Sequence, residues 1–201
     1  RTLLLNIKTK KWDPQLLKIF GVSAKILPRL QRSGSIFGTT EKIAGLPAGI
    51  PIAGVMGDQQ AALYGQGCYE AGTSKNTYGT GCFIMMNTGK KFVASQEGLL
   101  TTLACDFKGR SVYALEGAVF IGGAVVQWLR DGLKVIKSSA ETEKAIRGLN
   151  DTGGVYVVPA FVGLGAPYWK REARGLMSGI TRGTTTAHLI RACLEAIAYQ
   201  S

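Results

Sequence analysis

The sequence lacks the features that mark membrane, secreted and zinc-binding proteins. No apolar run approaches the ~20 residues that a membrane-spanning helix needs, and the chain does not begin with a signal-peptide pattern. The four cysteines, Cys68, Cys82, Cys105 and Cys193, stand far apart without a CxxC pair, which argues against a zinc site or a redox motif. We therefore expect a cytoplasmic protein without a membrane span, whose cysteines are reduced and packed as small apolar side chains.

Acidic residues are also scarce, and the formal net charge is +11. Arg1 to Lys42 contain nine Lys or Arg residues against Asp13 and Glu41, so most of the excess lies near the start of the chain. These bases are spread through amphipathic stretches such as Lys8 to Ile19, without the interleaved aromatic residues of a nucleic-acid surface. The pattern favours a solvated face and no nucleic-acid partner, with a basic, non-catalytic binding module as the alternative.

The stretch from Ile50 to Phe83 contains most of the informative pattern. Ile50 to Met56 is apolar and studded with glycine, which predicts a strand covered on both faces. A helix is predicted from Gln59, and Thr73 to Asn87 predicts two strands around a tight turn at Gly79-Thr80-Gly81. The order of strand, helix and strand indicates an α/β protein.

Asp58 has two interpretations at the junction between the predicted strand and helix. Asp is a favoured helix N-cap, so its role can be purely structural. In open α/β sheets, however, ligands bind in the crevice at the carboxyl ends of strands, where Asp58 would lie. Spacing alone leaves both interpretations open.

Three glycine-rich segments allow a similar choice between packing and binding. Gly79-Thr80-Gly81 is either an ordinary hairpin turn or a phosphate contact through backbone N–H groups and a hydroxyl. Gly122-Gly123 lies early in a predicted helix from Val119 to Leu133, where close packing or a nearby ligand would explain two glycines. The loop from Gly163 to Trp169 either packs between elements or lines a site.

Periodicity and turn signals predict the remaining elements. They are a helix from Pro14 capped by Asp13 and ended by Gly21, a short helical piece within Val22 to Leu30, a surface loop from Gly34 to Gly49, strands at Leu99 to Cys105, Ser111 to Leu115 and Val155 to Phe161, a polar surface helix within Ser138 to Asn150, and a helix that carries Leu189, Ile190, Cys193, Leu194 and Ile197 on its apolar side.

Several long blocks together resemble one family. GDQQAAL, KNTYGTGCF, GLLTTLAC, YALEGAVF, QWLRDGL, VYVVPAFVGLGAPYW and ARGLMSGITRG occur in this order. They resemble the glycerol kinases, sugar and polyol kinases with the actin-like ATPase, or ribonuclease H-like, architecture. The resemblance implies a two-domain α/β kinase fold, with the end of the first, substrate-side domain at residues 1–66 and the first part of the second, nucleotide-side domain at residues 72–201.

The same resemblance implies a reaction and a set of site residues. The parent enzyme is expected to transfer the γ-phosphate of ATP, with Mg²⁺, to a terminal hydroxyl of glycerol, giving sn-glycerol 3-phosphate and ADP. A related pentulose or polyol kinase is the alternative within the family. The implied residues are Asp58 as catalytic base, Asp58, Gln59 and Phe83 at glycerol, and Thr80, Gly81, Gly123 and Gln127 at the nucleotide.

Parts of the family pattern have no counterpart in the sequence. These are the Asp-Gly-Thr phosphate loop, the Arg, Glu, Trp and Tyr of the glycerol pocket, and the glycine-rich adenosine loop. We therefore expect an internal segment of a larger kinase, inactive by itself. The resemblance also implies that the parent enzyme is a homo-oligomer. The segment from Ile43 to Gly49 matches neither the family's sugar-phosphate effector loop nor its phosphorylated His loop, and His188 is the only histidine, so neither regulation is expected.

Overall fold

The computed structural model describes residues 2–201, which form an α/β structure. Its strands are β1 (Leu5–Asn6), β2 (Lys11–Trp12), β3 (Gly38–Thr39), β4 (Pro51–Ile52), β5 (Ser74–Tyr78), β6 (Cys82–Gly89), β7 (Leu100–Cys105), β8 (Ser111–Val119), β9 (Tyr156–Val158) and β10 (Leu176–Ser178). Its α-helices are α1 (Pro14–Phe20), α2 (Asp58–Gly65), α3 (Ala124–Asp131), α4 (Glu141–Ile146) and α5 (Thr186–Tyr199), and a 3₁₀ turn spans Ala24–Ile26.

The chain divides into two compact units that are not continuous in sequence. Among the described residues, the first unit comprises residues 2–75, Met85–Ser95 and Leu100–Glu116. The second comprises Asn76–Ile84, Gln96–Leu99 and Gly117–Ser201.

Local signals set the first helix as predicted. Asp13 is the N-cap of α1, and its Oδ1 accepts hydrogen bonds from the backbone N–H groups of Gln15 and Leu16 at 2.9 and 3.2 Å. Pro14 occupies the first helical position, where a missing N–H costs nothing. Gly21 ends the helix with φ of 65°, a left-handed conformation that glycine adopts without strain.

The largest sheet has four strands in the order β5-β6-β8-β7. Strands β7 and β8 are antiparallel, with Leu103 opposite Tyr113, and Asp106 to Arg110 form the turn between them. In the first unit, Leu63 of α2 packs with Cys68, Met85 and Ala114 in a small apolar core. This packing holds α2 against the sheet.

The core of the second unit is larger and is built mainly from α3, α5 and β9. The buried side chains are Ile121, Val125, Leu129, Ile136, Val155, Val157, Ile190, Ala192, Cys193 and Ala196. The members on α5 are Ile190, Ala192, Cys193 and Ala196, and Leu189, Leu194 and Ile197 of the same helix are partly buried against the cluster, so the predicted apolar side of α5 faces the core. His188 Nδ1 accepts a hydrogen bond from the Thr185 backbone N–H at 3.1 Å, which gives the sole histidine a capping role.

The predicted buried strand from Ile50 to Met56 is wrong. Only Pro51–Ile52 is a strand, paired with Gly38–Thr39, and Ile50, Ile52 and Val55 are 41%, 44% and 54% exposed. An apolar, glycine-rich run is buried only where neighbouring strands cover it, and within residues 2–201 its sole strand partner is two residues long. The apolar composition of this run is typical of a buried strand, but the burial itself depends on neighbouring strands that the composition does not reveal.

Two other boundaries also differ from the prediction. Val119 ends β8 instead of beginning a helix, and α3 starts only at Ala124, after Gly122-Gly123.

The basic residues between Lys8 and Lys42 are exposed as predicted, but only Lys18 lies on an α-helix. The four cysteines are free thiols and all are buried, which confirms their packing role.

Cys193 provides a test of burial through the pH dependence of stability. Burial raises the pKa of its thiol above the ordinary value of 9.0 to about 11. Because the folded state holds this proton more tightly, the resulting stabilisation is complete below pH 9 and is lost as the pH rises towards 11. We expect the free energy of unfolding of the chain to fall by about 2 kcal/mol more than that of a Cys193→Ala variant over this pH range, measured by urea unfolding. A difference between the two that stays constant with pH would show that the thiol is not buried.

Candidate active site

Asp58 lies at the first position of α2 and is exposed to solvent. Gly57, in extended conformation, is the N-cap, and its carbonyl accepts the first helical hydrogen bond from Ala61 at 2.8 Å. The N-cap interpretation of Asp58 is therefore wrong. A carboxylate in the first turn still interacts favourably with the helix dipole, while its exposed position leaves it accessible to a ligand.

Gln59 links Asp58 to a buried lysine. The Gln59 side-chain Nε2 donates to Asp58 Oδ2 at 3.4 Å. The Gln59 Oε1 accepts a hydrogen bond from Lys75 Nζ. Lys75 lies on β5 and is only 7% exposed. In the first unit, the Lys75 ammonium, the Gln59 amide and the Asp58 carboxylate are thus linked by two hydrogen bonds, and Asp58 lies at the surface.

The next residue of α2 ties the helix start to the sheet. Gln60 Nε2 donates to the Leu103 carbonyl of β7 at 3.3 Å, whereas Gln60 Oε1 is buried without a hydrogen-bond partner. A Cβ added to Gly57 would lie 2.8 Å from Gln60 Oε1. Glycine at position 57 therefore leaves room for the Gln60 side chain beneath the first turn.

In the second unit, the turn at Gly79-Thr80-Gly81 fits closely against the residues that precede α3. The backbone N–H groups of Gly122 and Gly123 donate to the carbonyls of Thr80 and Gly79 at 2.8 and 2.7 Å. A Cβ on Gly81 would lie 2.3 Å from the Val119 carbonyl oxygen, and one on Gly123 would lie 2.7 Å from the Gly79 carbonyl oxygen. The glycines on both sides are required by this backbone contact.

This contact brings together the four residues predicted at the nucleotide. Gly81 is buried, Gly123 is half-buried, and Thr80 and Gln127 are exposed. The Gln127 N–H donates to the Gly123 carbonyl at 3.1 Å, so the two are one helical turn apart as predicted. Phe83 is half-buried on β6 in the same unit.

The loop from Gly163 to Trp169 packs against the end of β8. The Ala166 N–H donates to the Ala118 carbonyl at 2.9 Å, and a Cβ on Gly165 would lie 2.1 Å from that oxygen. Trp169 donates from Nε1 to the Gly98 carbonyl at 2.6 Å. These contacts support packing, the first of the two interpretations of this loop.

Residues 2–201 contain no group of three or more His, Cys, Asp or Glu side chains placed to hold a metal ion. A Mg²⁺ ion that enters with ATP would take its ligands mainly from phosphate oxygens and water, and it would need no cluster of protein carboxylates. Across the same residues, no helix combines the length and apolarity needed to cross a bilayer.

Comparison with known proteins confirms the class that the sequence blocks predict. The FGGY family of carbohydrate kinases, C-terminal domain, matches residues 74–201, and the N-terminal domain of that family matches residues 1–65. The chain belongs to the FGGY family of carbohydrate kinases, with the actin-like ATPase fold of the matching sugar kinases.

Within this family, the chain is most informatively compared with glycerol kinases. It is 59% identical over 201 residues to the glycerol kinase of Alkalilimnicola ehrlichii, covering 100% of this chain and 40% of that protein. The crystal structure of Plasmodium falciparum glycerol kinase with ADP matches with a TM-score of 0.87 and 40% identity, over 98% of this chain and 40% of that one. The fold is shared by a xylulose kinase from Lactobacillus acidophilus, which matches with a TM-score of 0.80 and 22% identity over 98% of this chain and 40% of that one. The chain spans 40% of the length of the curated relatives it matches.

Sequence reasoning missed Lys75. Lys75 is the first residue of the block KNTYGTGCF, yet nothing in a single lysine distinguishes a buried side chain from a solvated one. Lys75 and Gln59 are 16 residues apart in sequence, and they come into contact only because β5 lies beside the start of α2.

Proposed function

We propose that the chain is part of an ATP-dependent glycerol kinase. The observation that carries this proposal is the 59% identity to a glycerol kinase over every residue of the chain. The xylulose kinase shares the fold at 22% identity, which is too low to carry its substrate across. A pentulose or other polyol kinase is therefore the second candidate.

Asp58 is the proposed catalytic base. Its carboxylate accepts the proton of a terminal glycerol hydroxyl as that oxygen attacks the γ-phosphorus of ATP and the bond to the β-phosphate oxygen breaks. Its place in the exposed first turn of α2, where Gly57 and not Asp58 is the N-cap, supports this role. Gln59 donates to the neighbouring hydroxyl, and the Phe83 ring contacts the carbon chain.

Thr80, Gly81, Gly123 and Gln127 are proposed to contact the nucleotide. Glycines that expose backbone N–H groups and a nearby hydroxyl allow close approach of phosphate. Their assembly in one place in the second unit supports the proposal. Mg²⁺ would accompany ATP and neutralise phosphate charge.

The setting of the enzyme is also a proposal. Four buried free thiols and the use of ATP suit the reducing cytoplasm. We further propose that the domain boundary lies between residues 66 and 72, that the whole protein is a homo-oligomer, and that the exposed loop at residues 43–49 takes part in neither effector binding nor phosphorylation.

A substrate panel on the full-length protein tests the proposed function. With ATP and Mg²⁺, we expect kcat/KM for glycerol to exceed that for D-xylulose by at least about a hundredfold, because a site that bonds specific hydroxyls discriminates strongly. ADP release is measured for each acceptor, with an acceptor-free reaction as control. A preference for the pentulose would replace glycerol by the second candidate.

A further inference from the structure

We propose that Lys75 is a positioning residue that sets the acceptor specificity of this site by fixing the orientation of the Gln59 amide. The inference rests on the proposed function and adds a residue that the family resemblance did not single out. It starts from a feature that requires explanation: a lysine that is only 7% exposed.

A buried ammonium is stable only where polar groups replace its lost hydration. Lys75 Nζ donates a hydrogen bond to Gln59 Oε1. An ammonium has donors and no acceptor, so it can face only the oxygen of an amide. The opposite orientation would place two donors against each other.

This polarity determines what Gln59 presents at the surface. With Oε1 held by Lys75, Nε2 must point the other way, and it donates to Asp58 Oδ2 at 3.4 Å. One of the two Nε2 hydrogens is used by that bond, which leaves the other to donate to a ligand. Released from Lys75, the amide could rotate and place its oxygen towards the carboxylate.

The consequence concerns which acceptors bind productively. Asp58 recognises the hydroxyl that reacts, while the remaining Gln59 N–H recognises an oxygen on the adjacent carbon. Glycerol has such an oxygen, its 2-hydroxyl, and propane-1,3-diol lacks it. Lys75 should therefore control the preference for glycerol over propane-1,3-diol, although it touches neither.

The experiment measures kcat/KM for glycerol and for propane-1,3-diol in the full-length protein and its variants. Lys75→Met is expected to lower kcat/KM for glycerol by at least about tenfold, chiefly through KM, and to change that for propane-1,3-diol much less. The exposed Lys90→Met variant is the matched control and should keep the preference. A loss of stability alone would lower both rates equally and leave their ratio unchanged.

Two further variants test the route through Gln59. The double variant Gln59→Ala, Lys75→Met should show the same preference as Gln59→Ala alone, because Lys75 influences the acceptor preference through that amide. Lys75→Arg keeps a side chain with donors only and should retain the preference even where Lys75→Met does not fold. An unchanged preference in Lys75→Met, additive effects in the double variant, or a folded Lys75→Arg without the preference would each overturn the inference. If the unaltered protein does not phosphorylate glycerol, the proposed function fails and the inference falls with it.

Discussion

Replacement of Asp58 by asparagine is expected to lower the turnover of the full-length protein by about 10³-fold. Positioned general bases typically contribute about 10²- to 10⁴-fold, and asparagine cannot accept the hydroxyl proton. Because Asp58 is exposed at the first position of α2 and does not cap the helix, the substitution removes little structure. The measurement is glycerol-dependent ADP release, together with the free energy of unfolding of both proteins.

The matched control is Glu70→Gln, which neutralises another exposed carboxylate of the first unit. We expect this variant to retain turnover within about twofold. Normal turnover of Asp58→Asn would refute the base assignment. If Asp58→Asn is inactive because it is unfolded, the unfolding measurement will show it.

Replacement of Gly81 by alanine is expected to cost on the order of 3 kcal/mol of stability. The added Cβ would lie 2.3 Å from the Val119 carbonyl oxygen and 2.9 Å from that of Phe120. Both are backbone atoms, so the turn must separate from the residues before α3 to relieve the overlap. This movement of the turn would also increase the distance between Thr80 and Gly123, and we therefore expect the affinity for ATP to fall.

Gly79, two residues earlier in the same turn, supplies the control. A Cβ there would lie 3.8 Å from the Gly81 carbonyl oxygen, an ordinary contact. Gly79→Ala should therefore change the free energy of unfolding by less than about 1 kcal/mol. Urea unfolding followed by tryptophan fluorescence compares the two variants, and equal losses of stability would show that the close backbone contact does not exist.

The sequence was most informative where local chemistry decides the structure. Asp13, Pro14 and Gly21 bound α1 as predicted, since capping is a matter of adjacent residues. The turn between β5 and β6 followed from glycines set among strand-forming residues. The kinase class followed from several long blocks in one order, which carry far more information than any single glycine motif.

Features that depend on distant segments were not predictable. Ile50 to Met56 had the composition of a covered strand, but cover is supplied by other parts of a fold. The glycines at 79, 81, 122 and 123 were recognised separately, yet only the structure shows that their backbones contact one another. Lys75 is the clearest case, because its burial and its contact with Gln59 both arise from tertiary structure.

We propose that this chain carries the catalytic base and part of the nucleotide site of a glycerol kinase, and that the remaining groups lie elsewhere in the full-length protein. The most direct test compares glycerol-dependent ADP release by the 201-residue chain and by the full-length protein, each with ATP and Mg²⁺. We predict turnover by the full-length protein and none by the chain alone, since each missing charge contact removes several kcal/mol of transition-state stabilisation. Turnover by the chain alone, or none by the full-length protein, would contradict the claim.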